Sequence, residues 1–352
     1  MKNNVIDFVI PWVDGNDLEW KIEFNKYVPK NKLLNSEDRF RDWDNLQFIF
    51  RSFEKCTPWV NKIYLITYGH LPKWLNIHHE KLVIITHKDY LEKRYLPTFS
   101  SHPIEINLHK IEGLSEKFVY FNDDLFILKP LSIDEFFKNN LPVDFAISNI
   151  MHDGIISHIV MNDIDIINKN FNRHVGDRLT KRGIILKNFF KWFNLNYGIY
   201  CFPNLLLLYW KTFTGFLINH YPQPFLKSTF YDLWTKEEEL LIQTSLSKFR
   251  DNSDVNQYLF RYWQLVSGKF YPGNINNMIN HRKYIELRTT NDAVKIAQDI
   301  KNRTYKIYCI NDSTSKGRYT KETMSDKDFN FSKTILNKAL LEIFPEKSRF
   351  EI

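Results

Sequence analysis

Short apolar runs that break off into acidic turns set the strongest limit on how this chain folds. Residues 5–13 are apolar apart from Asp7 and end in Asp14-Gly15-Asn16-Asp17. Residues 62–67 stop before Gly69, residues 82–86 form a third run, and residues 117–121 pass directly into Asn122-Asp123-Asp124. Runs so short, so apolar and so closed by turn residues predict strands buried on both faces. Residues 45–55 place Leu46, Ile49, Phe50 and Phe53 at helical spacing on one face. Strands alternating with helices predict an α/β fold with a largely parallel sheet. In such a sheet ligands bind beyond the carboxyl ends of the strands, where the acids lie. From residue 236 helical patterns dominate, with Glu237, Glu238 and Glu239 in an expected first turn. This divides the chain into an α/β core (1–150), a basic and aromatic insertion with a histidine-containing loop (151–235), and a mainly helical part (236–352).

Composition narrows the function classes. With 43% hydrophobic and 25% charged residues in a chain of 352, a sizeable core is expected and disorder is excluded. A net charge of +7 favours an anionic ligand, whether phosphate, nucleic acid or a membrane surface. Three cysteines, Cys56, Cys201 and Cys309, are odd in number and far apart. That argues against a disulfide framework or a zinc cluster and for a reducing compartment. Residues 1–10 carry Asp7 and no long apolar run, so no signal peptide is expected. The most apolar stretch, 197–210, is interrupted by Pro203 and Asn204 and is too short to span a bilayer. The expectation is a cytoplasmic protein, soluble or peripheral at the inner face of the plasma membrane.

Five constellations could carry chemistry, each with a plain alternative. Asp123-Asp124 after an apolar strand can grip a divalent cation through hard oxygens, or can be a polar turn. Trp12, Asp14, Gly15 and Asp17 can meet a ribose, a base or a metal, or form a strand-to-helix turn with an Asp cap. Arg39, Arg41 and Asp42, followed by Arg51, can clamp a pyrophosphate, or form a solvated basic turn. His220 precedes Tyr221-Pro222-Gln223-Pro224, whose prolines can hold it as a general base; it can also be an ordinary surface histidine. Arg250 can neutralise a phosphate and Asp254 can reach a metal, or the segment Asp251-Asn252-Ser253-Asp254 simply caps a helix.

Together and in this order, the motifs resemble the Stealth family of hexose-phosphate transferases, which includes bacterial capsule phosphotransferases and the α/β subunit of animal N-acetylglucosamine-1-phosphotransferase. The resemblance lies in residues 6–17, then in a long block from Arg39 through Pro58-Trp59-Val60, Pro72-Lys73-Trp74-Leu75 and Leu96-Pro97-Thr98-Phe99 to Phe118–Asp124. It continues at His220-Tyr221-Pro222, at residues 250–254 and at Cys309-Ile310-Asn311-Asp312. Two departures are Pro11, where the family usually has Thr, and Tyr68-Gly69-His70, where it has an Asp/Asn-Gly-Gln run; they bear on donor-sugar identity. The resemblance implies a nucleotide-sugar fold similar to GT-A. It implies transfer of a sugar 1-phosphate from a UDP-sugar to a glycan hydroxyl with release of UMP, aided by Mg²⁺ or Mn²⁺. It makes His220, Arg250, Asp123 and Asp124 catalytic, and Asp123, Asp124 and Asp254 metal ligands. Trp12, Asp14, Gly15, Asp17, Arg39, Arg41, Asp42 and Arg51 would bind substrate.

Two rival classes stay open at this level. A glycosyltransferase of similar fold would release UDP. A non-catalytic basic binder would hold nucleic acid or membrane; the ordered acidic motifs count against it, and no nucleic acid is expected as a partner. Residues 178–210 invite two further readings. Arg178, Lys181, Arg182, Lys187 and Lys191 alternate with Phe189, Phe190, Trp192 and Phe193. The stretch is either a lobe packed on the core or a flap at a membrane surface beside a lipid-linked acceptor, with its cations toward anionic headgroups. The leucine run 205–208 selects no face and is expected in the core.

Overall fold

The structure, a computed structural model, describes residues 5–28, 40–152, 154, 156–171, 180–312 and 324–352. Among them are the strands β1 (Ile6–Pro11), β2 (Ile63–Thr67), β3 (Leu82–Thr86), β4 (Lys117–Tyr120), β5 (Leu125–Ile127), β6 (Phe137–Lys138), β7 (Leu141–Asp144), β8 (Gln223–Leu226), β9 (Tyr271–Pro272), β10 (Arg282–Leu287) and β11 (Ile307–Asp312). The main sheet has the order β3-β2-β1-β4-β8. Its first four strands are parallel and β8 is antiparallel to β4. The expected α/β class with a largely parallel sheet is what the chain forms.

Burial on both faces explains the unbroken apolar runs. Phe8 and Ile10 point into one core with Phe53, Leu65 and Val119. Val9 points into the other with Ile66, Phe118 and Tyr120. The helix Leu46–Cys56 covers the first face through Ile49, Phe50 and Phe53. Asp7, the one acid in β1, is buried but not idle. It accepts from Asn61 Nδ2 (2.7 Å), the Lys62 amide (3.1 Å) and the Ser115 amide (2.8 Å), and so ties down the loops that enter β2 and β4. A buried carboxylate is tolerable only when its oxygens are taken in this way.

The three-part division at 150 and 235 is crossed by the sheets. β8 completes the main sheet, β9 pairs with β7, and β11 pairs with β5. One core cluster runs from Ile6 to Phe350. The final part is rich in helices, but its two longest strands, β10 and β11, serve the first part.

These pairings decide where loops meet. Because β8 runs antiparallel to β4, with Tyr120 opposite Gln223, the segment before β8 returns to the edge where β4 ends. Because β11 runs antiparallel to β5, with Cys309 opposite Leu125, its end lies beside the turn between β4 and β5. A buried ion pair fixes the return. Arg261 on the helix Gln257–Val266 forks onto both Asp144 oxygens at 2.8 Å, and its third donor reaches the Leu217 carbonyl at 2.7 Å.

Candidate active site

The carboxyl edge of the sheet gathers most of the acids. After β1, the Trp12 ring lies edge-on to His70 at 5.3 Å, and the Asp14 amide donates to His70 Nε2 at 2.7 Å. That nitrogen therefore acts as an acceptor. Burial lowers the affinity of His70 for a proton, against the opposing pull of Asp17 and Asp14. His70, at the end of β2, thus braces the Asp14 turn as a neutral imidazole.

Asp124 is the hub of the second cluster. Its Oδ2 lies 3.3 Å from His220 Nε2, 3.4 Å from Cys309 Sγ and 3.4 Å from Asn311 Nδ2. Its Oδ1 is buried and has no hydrogen-bond partner among the described residues. Asn122 Nδ2 approaches His220 Nε2 at 3.3 Å, and the Tyr284 ring stands edge-on to the imidazole at 5.5 Å. Crowding alone would lower the His220 proton affinity, but the charge and hydrogen bond of Asp124 outweigh it and the net direction is upward.

Asp123 is pushed up to about 7, first by the protein packed around its carboxyl and then by the Asp124 charge. Its residue surface is nevertheless exposed, so it is walled on one side and open to water on the other. Asp42 is raised to about 6, first by burial and then by its contact with Asp44, with a smaller push from Asp14. Asp42 in turn raises Asp123. Asp14, Asp42, Asp123 and Asp124 therefore share one negative field, the condition under which acids attract a cation.

One cation, Arg250, is near enough for its charge to reach His220. Arg250 Nη2 donates to Ser101 Oγ at 3.1 Å. Burial works against its charge, while Glu105, Tyr120 and Asp254 support it. Glu105, on the short helix Ser101–Ile106, accepts from Tyr120 Oη at 3.2 Å and from the Gln257 amide at 3.3 Å. Its charge also reaches His220. Glu105 and Cys309 were not among the residues singled out for roles, and His70 was noted only as a departure. A lone Glu in an apolar helix and a Cys inside a strand carry no signal until Asp124 and His220 are known to face them.

Several candidates need correction. Arg51 is buried, and all its forked donors are used: Nε and Nη2 on Glu351 (2.8 and 2.7 Å) and Nη1 on the Phe344 carbonyl (2.7 Å). It staples the helix Leu46–Cys56 to the C-terminal residues and offers nothing to a substrate. Asp254 is also buried and saturated, by Ser247 Oγ (2.7 Å), His102 Nδ1 (2.8 Å) and the Asp251 amide (2.9 Å). Its place two residues from an Asn cap does not open it to a metal; it anchors the loop that carries Arg250. Asp17 caps the helix Leu18–Tyr27 by accepting from the Trp20 amide at 2.8 Å. At Gly15 the close approach is by protein: a Cβ would stand 1.8 Å from the Phe40 carbonyl oxygen. Arg41 lies 5.0 Å over the Phe329 ring. Arg39 lies outside the described residues.

The donor atoms that lie within 4.8 Å of one another are an Asp124 oxygen, the His220 imidazole and the Cys309 thiol, and the buried Asp124 Oδ1 beside them is the oxygen that suits a hard divalent cation. Nearby, a guanidinium can meet an anionic group and an imidazole can take a proton. An arrangement of this kind suits group transfer between two bound anionic or polar substrates.

The family model for Stealth protein conserved region 2 matches residues 39–144. The capsular polysaccharide phosphotransferase WcwK of Streptococcus pneumoniae is 42% identical over 100% of this chain and 99% of the relative. The receptor polysaccharide phosphotransferase WefC of Streptococcus gordonii is 37% identical over 99% of both. The exopolysaccharide phosphotransferase cps2G of Lactiplantibacillus plantarum is 34% identical over 98% of this chain and 96% of the relative. The chain belongs to the Stealth family. A solved glycosyltransferase, GlyE of Streptococcus pneumoniae TIGR4, covers 98% of this chain and 66% of its own length, at 10% identity and a TM-score of 0.32; that likeness carries no argument.

Proposed function

We propose that this protein transfers a sugar 1-phosphate from a UDP-sugar to a hydroxyl of a glycan acceptor during capsular or cell-surface polysaccharide synthesis. The observation that carries the reading is the Asp124–His220 pair at 3.3 Å, set at the carboxyl edge of the sheet with Arg250 nearby in charge. Phosphoryl-type transfer asks for little beyond positioning and charge neutralisation, and the site offers both.

In this reading His220 accepts the proton of the acceptor hydroxyl. The freed oxygen bonds to the β-phosphorus, the bridging P–O bond breaks, and UMP leaves with the bridging oxygen. Asp124 orients the imidazole and stabilises its protonated form, as a carboxylate does when hydrogen-bonded to a general base. Arg250 meets the charge that spreads over the phosphoryl oxygens. Asp123 and Asp124 would hold Mg²⁺ or Mn²⁺, whose chemistry is to neutralise the donor pyrophosphate. Trp12, Asp14, Arg41 and Asp42 line the nucleotide side of the edge. Phosphotransferase relatives that match along their whole length support the reaction class.

The test is the leaving nucleotide. The purified protein is incubated with Mg²⁺ or Mn²⁺, a panel of UDP-sugars and glycan acceptors. Release of UMP with a new phosphodiester is expected. Release of UDP would make the protein a glycosyltransferase, and no turnover with any pair would remove the proposal.

A further inference from the structure

Residues 181–211 root in the protein through Ile184, Ile185, Trp192, Tyr197 and Leu207. Three polar side chains point inward with them. Lys181 Nζ donates to the Leu207 (2.6 Å) and Thr212 (3.0 Å) carbonyls, and Lys191 Nζ to those of Gly268 (2.6 Å) and Phe270 (2.9 Å). The Asn204 amide is buried, donating to the Trp192 carbonyl (2.6 Å) and the Ala146 carbonyl (2.7 Å) and accepting from the Ser148 amide (2.6 Å). Many of their other apolar groups point out. In the helix Cys201–Leu207 and the turn beyond it, Phe202, Leu206 and Tyr209 are each more than half exposed, whereas Asn204 and Leu207 face the protein. On the preceding turns Phe190 is 83% exposed, Ile199 85% and Leu195 97%. Exposed apolar groups clustered this densely, beyond those that the lobe buries, mark a contact surface.

The charge pattern selects the partner. From residue 178 to 231 the sequence has no Asp or Glu. Arg182, Lys187 and Lys211 are exposed around the apolar groups. Tyr209 and Trp210 supply aromatic rings with a polar handle, the side chains that settle at a membrane–water boundary. A second copy of the same face would bring like cations together without an acid to answer them. No helix among the described residues is long and apolar enough to cross a membrane, so this face can lie on a bilayer without spanning it.

We propose that the face formed by residues 186–210 docks onto the surface of a phospholipid bilayer rich in anionic headgroups. The docking differs from the flap expected from sequence. Lys181 clasps the lobe's own turn and Lys191 ties the lobe to the body, so neither is a headgroup ligand; Arg178 lies outside the described residues, and half of the leucine run, Leu205 and Leu206, faces outward. The chain leaves this face at Trp210 and reaches His220 through an ordered segment. Phe213 and Phe216 anchor it in the core, and the Leu217 amide bonds the Ile147 carbonyl at 2.8 Å. A docked lobe therefore holds the histidine loop in a fixed relation to the membrane.

Flotation of the whole protein with vesicles of phosphatidylcholine and phosphatidylglycerol in equal parts tests this, independently of any enzymatic reading. The wild type should float with the vesicles at low salt. The variant Ile199→Ser/Phe202→Ser/Leu206→Ser should partition about tenfold less, with an unchanged melting curve. Lys187→Gln/Lys211→Gln should bind less to anionic vesicles and alike to neutral ones. Should the triple variant melt early, Ile199→Glu alone carries the same test. A wild type that stays below the vesicles, or a folded apolar variant that floats as well as the wild type, overturns the proposal. So does a wild-type dimer that the apolar variant turns into monomer without either floating, since the face would then join two copies.

Discussion

The carboxyl edge of the sheet and the 181–211 lobe solve opposite problems with the same residue types. At the edge, polar groups meet one another above apolar ones: Asp124 and His220, both half-buried, pair across the turn and loop that Phe121 and Phe225 root in the core. In the lobe, Lys181, Lys191 and Asn204 lie behind with Trp192 and Tyr197, while Phe190, Phe202 and Tyr209 look outward. The first arrangement tunes protonation, because charges beside one another in a walled site shift each other strongly. The second holds a thin, apolar-faced element to the body by saturating backbone carbonyls. The two therefore predict separable failures, one of turnover and one of attachment.

The largest expected effect lies at the edge. His220→Ala should lower turnover by on the order of 10²–10⁴-fold while leaving vesicle flotation alone. The protonation state sharpens the point. The working imidazole must be neutral, and Asp124 holds its proton affinity above the ordinary histidine value. Wild-type activity should therefore rise with pH through a midpoint above that value. In Asp124→Asn the charge is gone and crowding remains, so the midpoint should fall. An NMR titration of the His220 ring that does not move in Asp124→Asn would break the pairing on which the site reading rests.

How much of this was legible in the sequence depended on how far apart the partners lie along the chain. β1, β2, β3 and β4 were legible because burial on both faces makes a strand apolar throughout, and Asp123-Asp124 because the run stops where the strand leaves the core. The meeting of Asp124 with His220 was not. It follows from β8 lying antiparallel to β4, a pairing between segments about a hundred residues apart with no local signature. Arg51 and Asp254 hide their roles for a related reason: a charged residue's type does not say whether its partner is a ligand or another part of the protein. Lys181 and Lys191 misled in the same way, since a lysine stem can bury its length and spend its charge inside.

The next effect tests whether the two regions share a support. Arg261 bonds Asp144 and also the Leu217 carbonyl, between the lobe and His220. Removing one partner of a buried pair leaves the other charge uncompensated, so Arg261→Ala should cost about 3–5 kcal/mol in urea unfolding. If flotation and turnover are supported separately, the folded fraction of the variant should still float while its turnover falls, because the histidine loop loses its brace. Equal loss of both would show that the lobe and the edge move as one body.

The smallest effect concerns the lobe's own clasp. Lys181 is buried with its amine on two carbonyls, and desolvation, helped by the charge of Arg182, lowers it to about 8. An ordinary lysine titrates near 10.5. Between those values the unfolded chain holds a proton that the folded chain has released. Stability must then rise with pH across this window, by at most about 1.4 kcal/mol for each unit crossed. Below pH 8 both states hold the proton and the slope vanishes. Lys181→Met keeps the stem but removes the amine. It should abolish this slope relative to wild type and leave the Leu207 and Thr212 carbonyls seeking water. Urea unfolding of both proteins at pH 7 and pH 9.5 reads the difference directly. A wild type whose stability advantage over Lys181→Met shrinks with rising pH would mean that folding raises the amine's proton affinity instead of lowering it. The lobe would then be clasped by electrostatics, like the edge, and the contrast between the two regions would be lost.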